Sequence, residues 1–439
     1  MNTFPAATAR YESPGSSVRK VVELVDGCKG LSGASRVFIK PNIVFWSRTV
    51  PFPKWGVITT SRVVEDVVSL LAEHGVTDIT IGEGTVVFDP KDMETARHAH
   101  ETLGYGVLGQ RYGVKSVNVF ERPFVPVDLG DGTVLNFNRD ALESDFVVSI
   151  PVLKTHAQTV VSLGIKNIKG LIDIPSRKKC HSADPVKDLN FMVARLADKL
   201  PPSLTVLDGI YTTERGPAYD GTVRRSNLLV ASRDMLSADK VGARLLGYEP
   251  GDIPHLAHAA RNRNRPVDLS DVEALGERVE ELAQPHAYAF EYTEDGSLPL
   301  LLAQMGIKGV SFPKYDLSLC TYCSSLTGVT LASIARAWRG QPWDNVEILT
   351  GKIKTPTPGK KTVLIGKCLY EAHKNHPDIE RMITVKTCPP MPKLIVKALH
   401  EAGIEIDPTA LLNLDKAPGH AMGKYKNRPE FDEAFFRVS

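Results

Sequence analysis

Cys320 and Cys323 form a C-x-x-C, Cys368 follows the run KTVLIGK, and Cys388 follows ERMITVKT and precedes Pro389 and Pro390. Each falls at the end of a predicted β-segment or inside the C-x-x-C. Thiolates are the natural ligands of iron–sulfur clusters and also of zinc, so four of them converging on one spot imply a metal site. The spacings are three, 45 and 20 residues. That is neither the paired knuckles of a zinc ribbon nor the compact ferredoxin run. Cys-Pro-Pro tilts the choice towards iron and sulfur, because proline removes a backbone donor and stiffens an apolar lid over the sulfurs. The expected cofactor is a [4Fe–4S] cluster on Cys320, Cys323, Cys368 and Cys388. Structural zinc and four unligated cysteines are the alternatives. Cys28 sits in a Gly-flanked turn and reads as inert. Cys180, beside His181 in a basic loop, is a weaker functional candidate.

A second set of reactive side chains lies in SIPVLKTHAQTVVSLGIKNIKGLIDIPSRKKCH, residues 149–181. Lys154, His156, Lys166 and Lys169 sit among apolar residues there, where a lysine needs a partner or a shifted pKa. Cations at the end of a strand can clamp a carboxylate or phosphate, and a solvated basic loop is the plainer alternative. Lys40 and Asn42 end an earlier strand and could hold the same substrate. Glu83, in G-E-G-T, is the candidate general base, and Asp208 the second carboxylate. Arg215 could reach the same edge. The expected catalytic residues are therefore Glu83, His156, Lys166 and Asp208. The expected substrate ligands are Lys40, Asn42, Lys154, Lys169 and Arg215. His98 and His100 are too close in sequence to face one another on a helix. His255 and His258 read as part of a solvated helix face.

These groups need elements to position them, and β and α patterns alternate along the chain. SRVFIKPNIVFW (35–46), TDITIGEG (77–84), DFVVSIPVLKTH (145–156), SLTVLDGI (203–210) and NLLVAS (227–232) read as strands. TTSRVVEDVVSLLAEHG (59–75), DPVKDLNFMVARLADKL (184–200) and SADKVGARLLG (237–247) read as helices. The pattern predicts an α/β protein with mainly parallel sheets covered on both faces. Residues 261–300 turn polar and weakly periodic and read as a crossover. The expected domains are then 1–260 and 301–410, with a polar tail over 411–439. The candidate residues would line the carboxyl edges of these sheets, where ligands of open α/β folds bind.

At 439 residues the chain is too long for one core, which supports two domains. A net charge of +2 gives no footprint for nucleic acid. No apolar run approaches the roughly 20 residues of a membrane span. The N-terminus lacks the pattern of a signal peptide, which places the protein in the cytoplasm, where clustered cysteines read as ligands rather than disulfides. No nucleotide-binding glycine motif is present.

VKTCPPMPKLIVKAL resembles the cluster-binding segment in the small subunits of respiratory complex I and hydrogenases, with Thr387 in place of a glycine. That resemblance implies a flavodoxin-like C-terminal domain bearing the cysteines. VFIKPNIV, DITIGEGT, FVVSIPVLKTH, LGIKNIKGLI, LTVLDGI and SADKVGARLLG, in that order over about 35–250, resemble domain of unknown function 362. Members of this bacterial and archaeal family often carry iron–sulfur segments. The family is itself distantly similar to lactate racemase, a nickel-pincer enzyme, whose cofactor lysine and histidines would match His156, Lys166 and His181. The racemase glycine pair is Gly164-Ile165 here, and its Asp-x-Thr-Arg-Pro motif is Lys40-Pro41-Asn42. The resemblance thus implies the fold and not the nickel. Together these readings predict an iron–sulfur redox enzyme of anaerobic metabolism. It would act on a small anionic substrate in an interdomain crevice and be served by a ferredoxin or a reductase. A homodimer is allowed. The rival expectations are a non-catalytic electron carrier and a racemase-like isomerase with a structural cluster.

Overall fold

The computed structural model describes residues 3–438 except 88, 90 and 131. The chain divides into two compact units. The first comprises the residues up to Arg177, Asn190–Ala289, and those from Pro418 onward. The second comprises Lys178–Leu189 and Phe290–Ala417.

In the first unit the strands are β1 (Phe4–Arg10), β2 (Arg36–Pro41), β3 (Asp78–Glu83), β4 (Lys115–Asn118), β5 (Phe124–Asp128), β6 (Val134–Asn138), β7 (Phe146–Ile150), β8 (Val152–His156), β9 (Val160–Ser162), β10 (Ser203–Glu214), β11 (Thr222–Ser232) and β12 (Val272–Gly276). Ten of them form one sheet in the order β12-β1-β11-β10-β7-β2-β3-β4, with β8 on β10 and β9 on β8. β5 and β6 pair separately as a hairpin. The run β10-β7-β2-β3-β4 is parallel, as expected from the β/α alternation. β11 is not: it returns antiparallel between β10 and β1.

Two boundaries differ from the sequence reading for local reasons. The apolar run 145–156 is two strands, because Pro151 between them has no N–H to donate to a ladder. β10 continues to Glu214, so Asp208 lies inside a strand and not at its end. The stretch read as a crossover supplies β12, which pairs parallel to β1. The tail also packs inward: Phe431 and Phe436 are buried around Trp55 and Tyr211. Its alternating charges hide those aromatic anchors from a periodicity reading.

The helix Ser61–Glu73 joins β2 to β3 with Thr60 as N-cap, whose hydroxyl accepts from Val63 N. It buries Val63, Val64, Val67, Val68, Leu70 and Leu71 against the sheet. The chain runs from β2 outward to β3 and β4, then returns to the other side of β2 with β7 and β10. The strand order therefore reverses between β2 and β7. Such a switch point opens a crevice at the carboxyl ends of the two strands.

The second unit has four parallel strands in chain order, β13 (Val310–Ser311), β14 (Val346–Leu349), β15 (Lys360–Ile365) and β16 (Ile379–Val385). Parallel wrapping around a small sheet is as the resemblance implied, and the order lacks the reversal of a flavodoxin sheet. The helices Thr321–Ala337 and Pro392–Glu401 bury Leu326, Ile334, Ile395 and Leu399 in its core.

Candidate functional site

The switch point of the first unit is filled by a closed polar network. Lys40, at the end of β2, is fully buried and donates to Glu83 Oε2 at 2.5 Å, Pro41 O at 2.7 Å and Asn167 Oδ1 at 3.3 Å. Glu83 ends the neighbouring β3 and also accepts from Ile43 N at 3.0 Å and Gly84 N at 2.8 Å. Lys154, on β8, donates to Asn42 Oδ1 and Val57 O, both at 2.8 Å. Asn167 Nδ2 closes the ring on Lys40 O and Ser149 Oγ, each at 3.1 Å. Gly170 lets the following turn cover the ion pair, since a Cβ there would stand 2.5 Å from Lys40 Cε and 2.6 Å from its Nζ.

Burial sets the electrostatics. It pushes Lys154 down to about 7, with Glu83 opposing and Lys40 reinforcing the shift. Lys40 is also lowered by burial, against the pull of Glu83. Asp208 accepts from Thr60 N at 2.7 Å and Ile210 N at 3.1 Å, and burial raises it to about 6. Asp239 receives Gly164 N at 2.6 Å and Ile165 N at 2.8 Å and is raised by burial to about 7.

Lys40, Asn42, Glu83 and Lys154 are thus brought together, and Thr59 and Thr60 link them to Asp208. Asn42 N donates to Thr59 Oγ1 at 2.8 Å. The lysine donors point at internal acceptors, so as folded the group forms a satisfied network. His156 ends β8, with Nδ1 accepting from Gln158 N at 3.1 Å. Lys166 lies on the short helix Gly164–Asn167, half-buried, near His255. Lys169 is buried in the turn after it. Arg215 follows β10, its N donating to Ala287 O at 2.8 Å. His255 is fully buried, not on a solvated face, because its helix Pro254–Asn262 turns Leu256, Ala259 and Ala260 inward as well. From the sequence Asn167 stands out only as one of the polar residues of the basic loop, with no role, and Asp239 does not stand out at all. The signal was present: both lie in the blocks LGIKNIKGLI and SADKVGARLLG, as polar residues amid apolar ones.

In the second unit the four cysteines converge. Cys320, Cys323, Cys368 and Cys388 line one recess with Gly351, Lys352, Gly366, Lys367 and Pro390. Each lies beyond the carboxyl end of a strand: Cys320 and Cys323 after β13, Cys368 after β15 and Cys388 after β16. Cys320 is the N-cap of the helix Thr321–Ala337 and accepts, through its carbonyl, from Cys323 N and Ser324 N at 3.1 and 3.0 Å. The Cys323 thiol, the N–H groups of Cys323 and Tyr322, and Lys178 hold the Cys320 thiol below its ordinary range. Cys323 is pushed up by that shared hydrogen bond and by burial. A Cβ on Gly366 would lie 3.6 Å from Cys323 Sγ. Asp316 accepts from Ser318 N at 2.7 Å, and Ser318 Oγ from Lys352 N at 2.7 Å, which fixes the loop before Cys320.

The segment Lys178–Leu189 belongs to this unit, so part of the basic loop serves the cysteines. Lys178 Nζ is 3.7 Å from Cys388 Sγ. His181 Nδ1 meets Leu317 O at 2.9 Å, and Lys352 donates to the carbonyl of His181. Cys180 is fully buried in the same unit. Cys28 is buried in the first unit, which raises its thiol to about 11, in keeping with an inert residue. Among the described residues no three His, Cys, Asp or Glu side chains close on a single metal ion.

Fold and site together describe an α/β protein with a polar switch point in one unit and a cysteine-lined recess in the other. Residues 37–244 match the family described as "Domain of unknown function (DUF362)", inside the stretch of about 35–250 whose sequence blocks resemble it. The thylakoid-associated protein sll1697 of Synechocystis sp. is 29% identical over 250 residues, covering 56% of this chain and 74% of that one. The lactate racemase apoprotein of Thermoanaerobacterium thermosaccharolyticum superposes with a TM-score of 0.29 at 13% identity, over 55% of this chain and 57% of that one. This chain thus spans less than two thirds of the racemase, and so remote a superposition carries no argument about its chemistry. No helix among the described residues is long and apolar enough to cross a membrane.

Proposed function

We propose that the protein binds a [4Fe–4S] cluster on Cys320, Cys323, Cys368 and Cys388 and serves a cytoplasmic redox reaction on a small anionic substrate. The observation that carries this reading is the convergence of four thiol side chains, from three separate strand ends, on one recess. The donor set fits the group. A cubane puts each thiolate on its own iron, so its sulfurs stand further apart than the four ligands of one tetrahedral zinc. Four cysteine side chains line the one recess, as such a donor set requires. The bound cluster would supply one-electron transfer.

The chain's own residues would do the rest. The Cys323 thiol, neighbouring N–H groups and Lys178 lower the Cys320 thiol, which favours the thiolate that ligates. Pro389 and Pro390 follow Cys388 without backbone donors of their own. At the switch point Lys154, at about 7, can hold or release a proton near neutral pH. Opening of the network would free Lys40 and Asn42 to receive a carboxylate or phosphate. The satisfied state of that network supports a second reading, in which the first unit is a scaffold and the protein only carries electrons.

Protein purified without oxygen should contain about four irons and four sulfides per chain. It should show an EPR signal after dithionite that disappears in Cys388→Ala. Zinc alone, or neither iron nor sulfide after reconstitution, would refute the cluster.

A further inference from the structure

The recess opens to solvent at Cys368 and Cys388, both exposed, and the charged side chains that line it are lysines. Lys352 and Lys367 line it, and no aspartate or glutamate does among the described residues. Lys178 Nζ stands 3.7 Å from Cys388 Sγ and 4.9 Å from the centroid of the Tyr322 ring. Exposed Lys179 is its neighbour in the chain. Exposed Lys386 is two residues before Cys388, its Nζ 4.2 Å from the centroid of Tyr370. The nearby acids are engaged: Glu371 pairs with Lys374 at 2.7 Å, and Asp316 accepts from the Ser318 backbone at 2.7 Å.

Two surface sulfurs put the edge of a bound cluster within contact distance of another molecule. A field of one sign steers encounter with a partner of the other sign. A single small anion would call for buried, converging donors. Here Lys179, Lys367 and Lys386 are exposed and come from three chain segments, as suits the wet polar rim of a protein contact. We propose that this lysine-rimmed opening docks an acidic electron-carrier protein. The inference rests on the iron–sulfur reading and adds the partner to it. One electron leaves the reduced carrier and enters the cysteine-bound centre, and no bond is made or broken.

The test uses the full-length chain, reconstituted without oxygen, and reduced plant-type ferredoxin as the acidic probe. The rate of electron entry from ferredoxin should fall about tenfold or more as salt rises from low to several hundred millimolar. Lys179→Glu with Lys386→Glu should lower it by a similar factor at low salt. Reduction by dithionite, and the iron and sulfide content, should be unchanged. Rates from ferredoxin that ignore both salt and the substitutions, with the cluster intact, would overturn the docking surface alone. A chain that takes up no iron and sulfide overturns the cluster and the docking surface together.

Discussion

Lys40 and Glu83 show what a buried charge demands of its surroundings. Each is within 4% of full side-chain burial, and they meet at 2.5 Å. A carboxylate left alone there would lose its compensation, while an uncharged pair of similar shape would not. Lys40→Met should therefore destabilise the first unit by about 3–5 kcal/mol, and adding Glu83→Gln should recover most of that loss. Urea unfolding of the wild type, both single variants and the double variant checks this. A double variant as unstable as the sum of the singles would show that the pair does not act as a unit. The lysines and Glu83 were legible in the sequence as charged residues at strand ends. That their first partners are one another was not, because no periodicity reports which side chains from β2, β3 and β8 share a cavity.

Asp208 acts between elements, inside β10 but bonded to the backbone where the helix Ser61–Glu73 begins. Its pKa of about 6 lies above the ordinary 3.8 because burial disfavours its charge. The folded state therefore holds this proton more tightly than the unfolded state. Stability from the group is whole below about pH 4 and is lost as pH rises through about 6. Over that window the loss amounts to about 3 kcal/mol. Asp208→Asn cannot ionise, so its stability relative to wild type should improve by about that amount between pH 4 and 7. Denaturation midpoints at several pH values test this, and a difference that does not vary with pH would mean the carboxyl is not buried in its protonated form. Lys154 has the opposite sense. Its lowered pKa makes the unfolded state bind more protons above about pH 7, so its contribution to stability rises with pH there.

At the scale of the molecule, the last residues complete the first unit. Trp55 Nε1 donates to Asp432 O at 3.2 Å, Lys54 reaches Glu433 at 2.6 Å, and Tyr211 OH donates to Glu430 O at 2.9 Å. Phe436, 1% exposed, packs on Tyr211 with ring centroids 6.1 Å apart. Phe436→Ala should cost about 3–5 kcal/mol, the usual loss for a buried aromatic. Leu412→Ala, at a residue 54% exposed, should be close to neutral. Thermal unfolding of the two variants distinguishes them, and equal effects would refute the tail as part of the core.

The α/β class, the mainly parallel character of the sheets and the cysteines at strand ends could be read from the sequence, because they depend on local apolar period and on residue type. The tertiary structure decided what depends on contacts between distant segments. β11 runs antiparallel because its partners are β10 and β1, and neither its composition nor its length records that direction. The basic loop of 149–181 divides between the two units, with Lys154 in the polar network and Lys178 beside Cys388. Asn167 became central because the switch point brings Lys40, Asn42 and Ser149 around one amide. A chain can specify each of these residues locally, but only folding sets the distances that turn them into a site.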